Sequence, residues 1–139
     1  MESTLHNPAL ITRTTPRAIT VAYWVVTALF CLEMCFTAYY ELLPHGAQAF
    51  ARLGFSSVGF RFELSLAKLA GVAVLLIPVV PMRLKEWAYA GFAINLFSAL
   101  IAHFSIRDVP QAFIPSSLTS LLWALSYFFW RRANAASAS

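Results

Sequence analysis

Three residues in this sequence are of types that move protons, and each interrupts or ends a long apolar run: Glu33, Lys68 and His103. A lysine near the centre of a bilayer costs roughly 2.5–3.5 kcal/mol on insertion scales, so a chain that keeps one must give it a partner or a task. A carboxylate, an amine and an imidazole sharing a low-dielectric cavity form a set for acid–base chemistry, because each can give a proton to a bound molecule or take one from it. Glu33 or His103 is the expected general acid or base. Lys68 is expected to supply the opposite charge, pairing with Glu33 or stabilising an oxyanion. The alternative is a Glu33–Lys68 pair that only fixes helix packing.

Milder polar residues share the same helix faces. Thr37 and Tyr40 follow Glu33 at spacings of four and three, and Ser65 and Gly71 flank Lys68 at three. Gly91, Asn95, Ala99 and His103 recur every fourth residue with Ser98 beside them, the small-and-polar stripe of a helix that faces other helices. Ser116, Ser120, Trp123 and Tyr127 form a further stripe. Asn95 suits the orientation of a carbonyl or hydroxyl. The expected substrate-binding set is therefore Asn95, Thr37, Tyr40, Ser98 and Trp123, with Glu63 at the mouth beside Asp108.

The elements that must position these residues follow from composition. Of 139 residues 60% are hydrophobic and 12% charged, about half the charge of a soluble domain, and the charges fall between long apolar runs. The pattern predicts an all-α integral membrane four-helix bundle with spans at about 19–40, 62–80, 87–104 and 114–130. Each is long enough to cross a hydrocarbon core of roughly 30 Å. Residues 1–18 are expected as a polar tail and 133–139 as a disordered one, with 19–132 the only domain. The first apolar run exceeds a signal-peptide core and lacks a cleavage site, so it is expected to be retained.

Four spans place both termini on one side. Arg13, Arg17, Arg83, Lys85, Arg131 and Arg132 lie there, against Arg52, Arg61 and Arg107 opposite. Six against three predicts cytoplasmic termini. Counting 1.5 Å per residue then puts Glu33, Lys68 and His103 in the outer half, with Lys68 roughly 10 Å below the outer surface. In the first outer loop "HGAQAFARLGF" spaces Phe50 and Leu53 one turn apart, and Gly54 is a helix stop. A short amphipathic helix on the membrane face is expected there, the alternative being an ordinary loop.

Several function classes are excluded. The net charge of +4 comes from residues flanking apolar segments, not from one basic patch, so nucleic acid is not an expected partner. Cys31 and Cys35 lie one turn apart without a metal or redox spacing, and are expected to pack as small apolar groups. No phosphate loop, metalloprotease spacing or serine-nucleophile motif occurs, and no motif requires a metal or other cofactor.

The segments "RLGF" (52–55), "LAKLAGVAVLLIP" (66–78), "RLKEWAYAGFAINLFSALIAH" (83–103) and "SYFFWRR" (126–132) resemble the DoxX-like family of small four-span bacterial membrane proteins. The resemblance covers about residues 21–132 and implies a bacterial inner-membrane location, with Glu33, Lys68, Asn95 and His103 as the polar interior. The family takes its name from a subunit of a thiosulfate:quinone oxidoreductase, and related proteins are linked to quinone or thiol stress. It thus implies a lipophilic, quinone-like substrate.

Three functions compete at this stage. One is an enzyme or enzyme subunit acting by acid–base or quinone-linked chemistry on a lipophilic molecule. Another is a small proton-coupled transporter of the multidrug type, built on a lone first-span glutamate. The third is a non-catalytic partner of a membrane-associated enzyme, docking through "PMRLKE" (81–86). Beyond the bilayer and the lipophilic molecule, a homodimer is the other expected association.

Overall fold

Prolines and one cap divide the chain into its helices. The structure is a computed structural model that describes the backbone of residues 8–138 and the side chains of residues 17–135. Helix α1 runs Pro8–Leu42 and stops because Pro44 has no N–H to continue it, leaving Leu43 extended at ψ 159°. Pro44 then opens α2, Pro44–Arg52, from the first helical position. Gly54 turns the chain away at φ 92°, a left-handed conformation that suits glycine. Ser57 caps α3, Val58–Leu76, by accepting from the Phe60 N–H at 3.3 Å. Ile77, before Pro78, is extended and ends it. Helix α4 runs Met82–Ser105, a 3-10 turn covers Pro110–Ala112, and α5 runs Phe113–Ala138.

The four long helices pack antiparallel in chain order. Contacts between α1 and α5 match Thr27 with Ser126 and Glu33 with Thr119. Those between α1 and α3 match Ala38 and Glu41 with Ser65 and Lys68. Helix α4 closes the square against α3 and α5. The core is Phe30, Met34, Val72, Leu75, Tyr89, Phe92, Leu96 and their neighbours, with the rings of Phe30 and Phe92 edge to face at 5.0 Å across the centre. Gly71 makes room for that centre: a Cβ there would come within 2.7 Å of the Phe92 ring.

All-helical architecture was predicted, and no strand occurs among the described residues. Among the described residues, three segments are long and apolar enough to cross a membrane: Arg17–Leu42, Met82–Ser105 and Pro110–Ala135. Helix α3 has 19 residues and a largely apolar composition, but it carries three charges, Arg61, Glu63 and Lys68, within the length of one span, which sets it apart from the other three. The short helix expected in the first outer loop is α2. The tails differ from expectation. Helix continues from Pro8 through the region assigned to the N-terminal tail, and α5 continues to Ala138 through the segment expected to be disordered. The α1 extension includes Pro16 in its interior; residues 1–7 and 139 lie outside the described ones.

Candidate functional site

Lys68 is buried at 7% exposure, and the group it meets is the Glu41 carboxylate. Its sequence-assigned partner, Glu33, stands two turns earlier on α1, about 12 Å along the axis and beyond reach of the same amine. Glu41 sits on the last turn of α1, directly opposite the early turns of α3. Its second carboxylate oxygen accepts from Ser65 Oγ at 3.0 Å, and the same hydroxyl lies 3.1 Å from the Ala38 carbonyl. Arg61 Nη1 donates to the Glu41 carbonyl at 2.7 Å, capping a helix end that would otherwise leave its carbonyls unpaired. Glu41, Ser65 and Lys68 thus form a buried ion pair whose carboxylate is engaged on both oxygens, which offsets part of its cost in a low-dielectric interior.

Beside the pair, a cavity of about 320 Å³ lies between α3 and α4. Gly71, Val74, Trp87 and Phe92 form apolar walls, and Lys68 and Asn95 are its strongly polar residues. Ala67, Ala70, Trp87 and Gly91 on its rim are exposed, so the cavity opens on the flank of the bundle. A cavity with apolar walls and two convergent polar groups has the usual makeup of a small-molecule site.

The other predicted residues lie elsewhere. Glu33 is half-buried and accepts from Thr119 Oγ1 at 2.6 Å, across to α5. His103 Nδ1 donates to Asp108 at 2.8 Å, and Arg52 of α2 donates to the same oxygen at 2.5 Å. The hydrogen bond from His103 is the chief reason the Asp108 carboxyl is held below its ordinary value. Burial opposes that shift, while the Val109 N–H and Arg52 assist it. This clasp ties α2 to the α4–α5 connection. Thr37 donates to the Met34 carbonyl of its own helix, and Tyr40, Glu63 and Ser98 are exposed. Trp123 lies toward the termini, donating to the Tyr89 carbonyl at 3.0 Å. Of the predicted residues, then, Lys68 and Asn95 line this cavity and the others do not. Among the described residues no three His, Cys, Asp or Glu side chains gather as a metal site.

The sequence profile of the DoxX-like family matches residues 25–125, from the middle of α1 to the middle of α5. The chain belongs to the DoxX-like family. With its apolar helices, that makes it a membrane protein. Comparison with curated proteins and with solved structures returned no match.

Two features of this DoxX-like chain escaped the sequence reading. Glu41 was assigned to the loop because the first span was closed at Tyr40. Its signal was nevertheless present, since Glu33, Thr37 and Glu41 recur every fourth residue. The second is a layer of hydroxyls nearer the termini. Ser126 Oγ lies 2.7 Å from Thr27 Oγ1 and 2.8 Å from the Tyr89 hydroxyl, all three buried. Lys85, counted in the sequence as a topology residue, is buried nearby and caps α3 by donating to the Leu75 carbonyl at 3.2 Å. Cys31 and Cys35 are free thiols in and beside the core.

Proposed function

We propose that this DoxX-like chain is a four-span protein of the bacterial inner membrane, with cytoplasmic termini, that binds a lipophilic carbonyl compound between α3 and α4 and acts on it by acid–base chemistry. The observation that carries the reading is that Lys68 is both the ion-pair partner of Glu41 and a lining residue of the cavity. A quinone-like or other carbonyl-bearing molecule entering from the bilayer would meet two donors, the Lys68 ammonium and the Asn95 amide. Lys68 would hydrogen-bond the carbonyl oxygen and polarise it as a general acid, with Glu41 fixing the amine. Glu33, His103 and Glu41 do not line this cavity, so contact with the ligand is assigned to Lys68, with Glu41 behind it positioning the amine. The four-span reading takes α3 as the remaining span, since its charges face Glu41 and the loop end. The excess of basic residues at the termini side supports the orientation.

Native mass spectrometry of protein released from membranes in mild detergent tests the reading. Wild type should carry a lipophilic mass. The charge-free double variant Lys68→Met/Glu41→Leu, which leaves no unpaired charge, should lose it, as should Asn95→Leu. Equal retention in all three proteins would sink the proposal.

One observation favours a second reading, proton-coupled transport. Glu33 does not meet Lys68, so the internal cation that would compete with a cationic cargo is engaged elsewhere. Proton flux into liposomes that is abolished by Glu33→Gln and kept in the Lys68/Glu41 double variant would select transport over the cavity chemistry.

A further inference from the structure

A second cavity, about 480 Å³, shares no lining residue with the first and lies where α4 begins, against the last turns of α5. Met82 and Phe128 line its apolar side, and both are half or more exposed toward the flank that lipid covers. Arg131 and Arg132 line its polar side. The two arginines differ in state. Arg131 donates to Glu86 at 3.1 Å, an exposed contact. The Arg132 guanidinium lies 5.3 Å from the centre of the Phe128 ring, stacked on an aromatic face and paired with no carboxylate among the described residues. Trp87 stands exposed at the same end of the bundle, an amphipathic residue of the kind that marks a membrane–water boundary.

We infer that this pocket is a binding site for an anionic phospholipid, its phosphate held by Arg132 and Arg131 and its acyl chain laid along Phe128 and Met82. Charge selects the headgroup. Two guanidinium groups in one pocket favour a net negative lipid over a zwitterionic one, whose ammonium they repel, and each planar fork can bind phosphate oxygens in pairs. The apolar wall selects a lipid over free phosphate, since Phe128 and Met82 offer a phosphate ion nothing. Glu86 is the built-in competitor: it holds Arg131 until a phosphate displaces it, so the pocket is primed at Arg132 and completed at Arg131. This site is separate from the α3–α4 cavity and does not depend on the function proposed for it.

The full-length protein in detergent micelles, titrated with phosphatidylglycerol or phosphatidylcholine of the same chain length and followed by native mass spectrometry, tests the site. Phosphatidylglycerol adducts should survive at collision energies that strip phosphatidylcholine. Arg132→Gln should weaken retention about fivefold, in line with the contribution of one basic residue near an anionic surface. Glu86→Gln should strengthen retention by freeing Arg131, a gain that misfolding cannot imitate. Arg52→Gln, at the other end of the bundle, should leave it unchanged. The inference is overturned by equal retention of the two lipids, by unchanged retention in Arg131→Gln/Arg132→Gln, or by millimolar inorganic phosphate displacing the lipid completely.

Discussion

The two ends of the bundle solve the burial of polar groups in different ways. Near α2 the solution is ionic: Lys68 with Glu41, and Arg52 with Asp108 and His103. Toward the termini it rests on hydroxyls, Thr27, Ser126 and Tyr89, that satisfy one another, beside the Lys85 amine, which donates to the Leu75 carbonyl. A hydroxyl both donates and accepts, so a cluster of three closes on itself and a lost member is partly replaced by its neighbours. A buried charge has no such substitute. Its partner must stand at one place, and the backbone has to be held so that it does. The ionic end accordingly carries the added devices, the Arg61 cap on α1, the short helix α2 and the clasp on Asp108. It also borders the cavity with Asn95.

The contrast predicts a steep hierarchy of mutational effects. The largest should come from Lys68→Met alone, which strands the Glu41 carboxylate and should destabilise the bundle by about 3–5 kcal/mol in a micelle unfolding titration. Adding Glu41→Leu should recover most of that loss, whereas adding Glu33→Leu should recover none. Recovery by the Glu33 change would mean the pair had been assigned to the wrong carboxylate.

Next in size is Gly46→Ala. A Cβ at Gly46 would stand 2.8 Å from the Cα of Glu41, backbone that cannot yield as a side chain can. Displacement of α2 should lower stability by about 1–3 kcal/mol and raise amide exchange across α2. Ser126→Ala, at the hydroxyl end, should lose about 1–2 kcal/mol, since Thr27 and Tyr89 retain some bonding capacity. A loss as large as that of Lys68→Met would erase the distinction between the two ends.

The smallest effect is on pH. Because the Asp108 carboxyl is held below its ordinary value in the folded protein, its clasp contributes fully above the ordinary carboxylate range. That contribution fades as pH falls through the lowered value. Hydrogen exchange in α2 and residues 106–109 should rise over that acid window, and Asp108→Asn should make exchange there insensitive to it.

Much of this was legible in the chain because helices announce themselves locally. Pro44, Pro78 and Pro81 break where prolines must, Gly54 turns where a left-handed residue is needed, and Ser57 caps the helix that follows it. The burial of Lys68 was legible too, since no neighbouring residue within its own helix could shield it. Its partner was not. Choosing between Glu33 and Glu41 requires the register of α1 against α3, and a shift of two turns leaves every local signal unchanged. The same register places His103 beside Asp108 and Trp123 beside Tyr89, away from the cavity that their helix stripes had suggested.

The sequence by itself therefore determined which segments are helical, where they break, and that charged groups must be reconciled with an apolar surrounding. Those properties depend on backbone chemistry and on the free energy of moving single side chains out of water. Only the tertiary structure decided which charge meets which, because that depends on how four helices slide and rotate against one another. Packing of Phe92 into the space at Gly71, and of α2 against the end of α1 at Gly46, sets that alignment through contacts between residues far apart in the chain.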